Sequence, residues 1–88
     1  MRVSTDVVAR RVDDSVVLVP LGSDRIYSLN VTGGRFWELL SEGLDSEAIV
    51  RHLVAEFDID GDSARAEMEQ LAADLVRHGL VVESVDGG

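Results

Sequence analysis

Few side chains in this chain of 88 residues have the types or spacing that perform covalent chemistry. His52 and His78 stand apart, and no nucleophile lies in evident register with either as a base. His78, near a helix end, reads as a favourable partner for the helix dipole. Cysteine is absent, which removes disulfides and thiolate metal sites, and two histidines alone do not make a structural zinc site. The run Asp58-Ile59-Asp60-Gly61-Asp62 gathers carboxylates, but it does not meet the ligand placement of a calcium loop, and Asp60 or Asp62 reads better as a helix cap. No glycine-rich loop follows a strand to cradle phosphate. The chain therefore reads as a binding module, not an enzyme, and calls for no cofactor or metal.

Two motifs touch group-carrier chemistry. Gly43-Leu44-Asp45-Ser46-Glu47 approaches the Gly-x-Asp-Ser-Leu context in which carrier domains hold a phosphopantetheine arm. Glu47 stands where an apolar residue should follow, and the first thirty residues read as strands where a carrier is helical, so Asp45 and Ser46 read as a capping pair. Gly87-Gly88 ends the chain as ubiquitin-like sulfur carriers end, yet only a few residues separate it from a long helix.

The stretch with the most to offer is Arg25-Ile26-Tyr27-Ser28-Leu29-Asn30, a short strand that hands over to a helix at Asn30. It contains no Pro or Lys to blunt a sheet edge, and no later segment is placed to pair with its outer side. An open edge of this kind captures an extended peptide by strand addition: the backbone supplies pairing, and pockets for alternate side chains supply specificity.

The elements that must position this edge follow from the pattern. Val7 to Val12 is β-branched and ends at the turn-forming Asp13-Asp14, and Ser15 to Leu21 follows as a strand apolar on both faces with Pro20 near its end. Gly22-Ser23-Asp24 is the loop into the strand Arg25 to Leu29, so the first and third strands are the two edges. Asn30 or Thr32 caps a helix from Val31 to about Ser41, stopped by Gly43, and the pair Gly33-Gly34 in its first turn points to a close approach on the sheet. Asp45 caps a second helix from Ser46 to Phe57. A third runs from about Asp62 to His78 and is closed by Gly79. On it Ala64, Met68, Leu71, Ala72, Leu75 and Val76 share one face, with the row Glu67, Leu71, Asp74 and His78 flanking that face. Leu80 to Glu83 reads as a last short extended segment. Residues 1–83 then form a single domain with 84–88 as a flexible tail. Strands first and helices after give an α+β fold, a three-stranded antiparallel sheet followed by three helices, the second and third resembling a helix-turn-helix.

Composition narrows the partners. With 45% hydrophobic residues the chain supports one core, and the start, Met1 to Val12, lacks the apolar run of a secretory signal. No stretch approaches the roughly 20 apolar residues of a membrane span. The expectation is a cytoplasmic protein. A net charge of -9, from 17 acidic and 8 basic residues, disfavours nucleic acid and suits a cationic or mixed-charge peptide. A winged-helix DNA binder shares the outline, but its recognition helix needs an excess of basic residues that the second and third helices lack.

Together, Val8-Ala9-Arg10-Arg11-Val12, Arg25 to Asn30, Thr32-Gly33 leading into Phe36-Trp37-Glu38-Leu39-Leu40, then Gly43, and Leu75 to Leu80 closing on Gly79-Leu80 resemble the PqqD family. The resemblance runs from about Val7 to Val82. It implies a winged helix-turn-helix-like fold that serves as the recognition element of ribosomal peptide pathways. The leader segment of a precursor peptide would add as a further strand beside Arg25 to Leu29, over the third helix. A free-standing chain of this kind looks like the leader-binding protein of lasso-peptide pathways, partner of a separate leader protease. It is also similar to the protein that presents a precursor to a radical enzyme in pyrroloquinoline quinone synthesis. On this reading the backbone of Arg25, Ile26, Tyr27, Ser28 and Leu29 forms the edge, and Tyr27 and Leu29 from the strand, with Leu71, Asp74, Leu75 and His78 from the helix, line pockets. Glu67 and Asp74 meet a leader lysine or the groove rim. Neither nucleic acid nor membrane is a partner.

Overall fold

The computed structural model describes residues 1–82. Glu83, expected to end the last extended segment, and the tail at 84–88 lie outside the described residues. The elements in order are β1 (Arg2–Val3), β2 (Val7–Val12), β3 (Ser15–Pro20), β4 (Tyr27–Leu29), α1 (Val31–Ser41), α2 (Ser46–Phe57), α3 (Gly61–Arg77) and β5 (Val81–Val82). The main sheet is antiparallel with order β2-β3-β4, so β2 and β4 are its edges. The fold is α+β, as the order of strands and helices requires.

One ladder was not legible in the pattern. β1 pairs with β5 as a separate antiparallel sheet, with Arg2 opposite Val82 and Val3 opposite Val81. The Ser4 amide donates to the Leu80 carbonyl at 2.9 Å, and Leu80 and Val81 are fully buried. The chain after α3 is thereby fastened under the core.

β4 is shorter than expected and excludes Arg25 and Ile26. The register explains this. The Leu21 amide donates to the Asp6 carbonyl across β2 at 2.7 Å, so its neighbour Pro20 is directed to the other side, opposite Arg25. Proline has no N–H to give there, and its carbonyl accepts instead from the Ser23 amide at 3.3 Å. The Arg25 amide in turn donates to Ser23 Oγ at 3.1 Å, inside the loop. Pro20 thus ends the β3–β4 ladder at Tyr27, two residues later than the sequence pattern indicated.

The helices form as their caps dictate. Asn30 Oδ1 accepts from the Gly33 amide at 2.8 Å, Asp45 Oδ1 from the Ala48 amide at 2.9 Å, and Asp60 Oδ2 from the Ser63 amide at 3.3 Å. Asp60 being the cap, α3 opens at Gly61 and the acidic run builds a helix start; among the described residues no cluster of metal-ligating side chains occurs. α1 crosses β3 so closely that a Cβ on Gly34 would sit 2.8 Å from Val16 Cγ2. Phe36, Leu39, Ile49, Leu18 and Leu80 fill the centre of the core.

The helices cover β3 and β4, whereas β2 is exposed along all but its first residue. On β3 the buried Val16 and Leu18 alternate with the half-buried Val17 and Val19, which answers why that strand is apolar on both faces. Among the described residues no helix is long and apolar enough to cross a membrane.

Candidate peptide-binding groove

The register that shortens β4 also decides which of its backbone groups are free. Tyr27 faces Leu18 and Leu29 faces Val16, and these pairs carry the hydrogen bonds to β3. Ser28, opposite Val17 in the intervening non-bonded pair, therefore turns its N–H and C=O outward, away from the sheet. Its edge is unpaired by any described element.

Beside that edge runs an open groove of about 500 Å³, walled by Ser28, Leu29 and Asn30 on one side and α3 on the other. Its floor is apolar: Phe36, Leu53, Ile59 and Met68, with Leu71 half-buried on the α3 wall. Gly33 belongs to the floor as well, where an added Cβ would come 3.3 Å from Leu71 Cδ2 and 3.2 Å from Asn30 Oδ1. Absence of a side chain at this point keeps the groove open at the helix start. Glu67, Gln70 and Asp74 supply the polar rim along α3.

Of the residues singled out from the sequence, Ser28, Leu29, Glu67, Leu71 and Asp74 come together on this groove. Tyr27 and His78 extend the two walls past Asp74 and meet there. Their ring centroids are 5.0 Å apart, and the Tyr27 hydroxyl lies 3.5 Å from His78 Nδ1. His78, which caps the C-terminus of α3, thus has an aromatic partner as well as a helix end. Leu75 lies elsewhere: it is 3% exposed in the core, one helical step round from Leu71. Arg25 and Ile26 precede the ladder, Arg25 in the loop and Ile26 exposed. The floor residues Phe36, Leu53, Ile59 and Met68 were not among the site residues expected from the sequence; Gly33, where a side chain would crowd Leu71, is the position whose residue type points to them.

The rim acids differ. Asp74 is held by Arg77, one turn further along α3, while Glu67 has no ion-pair partner among the described residues. Two other helix arginines are paired within the chain, whereas Arg51 on α2 has no ion-pair partner among the described residues. Arg35 grips Glu56 with Nε at 2.8 Å, and Arg65 holds Glu47 at 2.8 Å. Hydrogen bonds from these arginines hold the Glu56 and Glu47 carboxyls below their usual range, and hydrogen bonds with Ser63 do the same for Asp60.

The profile of coenzyme PQQ synthesis protein D (PqqD) matches residues 15–81, which spans the main sheet from β3, all three helices and the start of β5. The chain belongs to the PqqD family. Two solved structures are similar to this PqqD-family chain. TbiB1 in complex with the TbiA(beta) leader peptide is 31% identical, with a TM-score of 0.89 over 98% of this chain and all of that one (100%). Lasso peptide synthetase B1 complexed with the leader peptide shares the fold at 20% identity, with a TM-score of 0.84 over 93% of this chain and 96% of that one. A comparison with the curated proteins finds no match.

Proposed function

We propose that this PqqD-family chain binds the leader segment of a ribosomally made precursor peptide, of the lasso-peptide kind, and presents it to a separate processing enzyme, a leader protease. The observation that carries this reading is the outward-facing backbone of Ser28 bordering an apolar groove. An extended peptide pairs with the Ser28 N–H and C=O and continues the sheet as a fourth strand. Its inward side chains then alternate into the groove over Leu71 and the floor beneath. Glu67 offers the free carboxylate for a leader lysine or arginine, which favours encounter and register more than affinity. The similarity to TbiB1, solved in complex with a leader peptide and alike over 98% of this chain, supports a leader peptide as the ligand. The function is recognition, with no catalytic step in this chain, and a cytoplasmic setting fits a partner made on the ribosome.

Titration of a fluorescently labelled leader tests it. Leu71→Ala weakens binding, since it strips one wall of the groove, whereas Glu47→Ala, on α2 and tied to Arg65, leaves binding unchanged. Equal affinity of wild type and Leu71→Ala, with both proteins folded, would refute the groove.

A further inference from the structure

The main sheet has a second open edge, on β2. The Leu21 amide donates to the Asp6 carbonyl, so Asp6, Val8, Arg10 and Val12 turn their backbone groups toward β3. Val7, Ala9 and Arg11 oppose Pro20, Leu18 and Val16 in the intervening non-bonded pairs and turn theirs outward. No described element pairs with that side, and β2 carries neither proline nor lysine to blunt it. Beside it a groove of about 350 Å³ runs between the strand and α1, lined by Ala9, Val16 and Trp37.

The side chains along this edge state what fits it. By strand alternation Asp6, Val8 and Arg10 share the sheet face turned away from the helices. Among the described residues Arg10 has no carboxylate partner and Asp6 no cationic one, although Arg11, Arg35, Arg65 and Arg77 are all paired. Val8, between them, is 45% exposed. A two-fold axis through Val8 provides for all three. β2 then meets the same strand of a second copy in antiparallel order, and Val7 and Ala9 exchange hydrogen bonds with the partner's Ala9 and the partner's Val7. Val8 packs on the partner's Val8, and Arg10 and Asp6 stand directly opposite the partner's Asp6 and the partner's Arg10. An axis through Ala9 would instead set Arg10 against the partner's Val8, and one through Arg10 would set arginine against arginine. The Val8-centred register also lays the partner's Val7 beside Ala9, at the mouth of the α1 groove.

We propose that β2 is a self-association edge, through which two copies join into one continuous antiparallel sheet locked by two reciprocal ion pairs between Arg10 and Asp6. The inference is independent of the leader-binding reading, because β4 and its groove stay free at both outer margins of the joined sheet. The net charge of -9 on each copy opposes approach, so the dimer is weak and depends on the ladder and the two ion pairs made at contact.

Sedimentation equilibrium of the full chain, from about 10 µM to 1 mM, reads the association. Asp6→Arg and Arg10→Asp each weaken the dimer by about tenfold or more, since each places like charges opposite one another at two symmetry-related points. The exchange Asp6→Arg/Arg10→Asp brings it back to within about threefold of wild type. Ala9→Pro removes an outward N–H, keeps the bonds to β3, and leaves a monomer. These positions are exposed, and thermal melts verify that the variants fold. Asp6→Arg is the discriminating variant: it lowers the net negative charge, so repulsion alone would make it associate more tightly than wild type. A wild type monomeric throughout the range would overturn the proposal. So would a folded Asp6→Arg or Ala9→Pro protein that associates as wild type does, or a folded exchange variant that stays apart. Labelled leader is titrated in parallel, with one leader expected per protomer; failure of the leader to bind counts against the β4 groove alone and leaves the β2 edge standing.

Discussion

Ser28→Pro separates the outer edge of β4 from the ladder that holds β4 in place. The substitution removes one backbone N–H, and the register turns that N–H away from β3. No internal hydrogen bond is lost, and an edge position with an exposed side chain is where a strand tolerates proline. The residue ahead, Tyr27, is already extended in the strand, as a residue preceding proline prefers. Stability should therefore fall by no more than about 1 kcal/mol, a shift of about 4–8 °C in Tm for a domain of this size. The bound leader, in contrast, loses a donor to one of its carbonyls and meets the proline ring at the pairing distance. Leaving such a carbonyl unsatisfied costs about 1–3 kcal/mol. At about 1.4 kcal/mol per factor of ten this weakens the leader by about 5- to 140-fold. Fluorescence anisotropy of a labelled leader reads the affinity, and circular dichroism reads the melt. Ser28→Ala is the control, since it keeps the backbone and changes only an outward side chain. Wild-type affinity in a folded Ser28→Pro protein would show that the peptide does not use this edge.

Three further outcomes follow from the same geometry. Gly34→Ala should lower stability by about 1–3 kcal/mol in urea unfolding, because its Cβ would stand 2.8 Å from Val16 Cγ2 and force α1 off the sheet. Asn30→Ala should cost about 1 kcal/mol by removing the cap of α1, and a melt unchanged within error would count against the capping bond to Gly33. Glu47, Glu56 and Asp60 have carboxyls lowered in the fold from usual values of 4.5, 4.5 and 3.8, so their contribution is present above those values and is lost as pH falls through the lower folded ones. Urea midpoints should accordingly hold steady from neutrality down to about pH 5 and drop below about pH 4. A midpoint that rises on acidification would contradict these ion pairs and the cap.

Much of this molecule was written in local pattern. The alternation and turn residues from Val7 to Leu29 specify three antiparallel strands, and the caps Asn30, Asp45 and Asp60 set the starts of three helices. These features are readable because each is decided within a few residues, by side-chain period or by an oxygen reaching a nearby amide. Absence of cysteine and the acid excess likewise narrowed the chemistry before any fold was known. Long-range pairing decided the rest. Two-residue strands at Arg2–Val3 and Val81–Val82 are too short to carry a period, so only their meeting across the chain reveals them. Pro20 shortens β4 through a partner five positions away on the opposing strand, and that effect needs the register. Leu71 and Leu75 look equivalent on a helical wheel. Rotation of α3 against the sheet sends one to the groove and the other to the core, and packing between elements alone determines which.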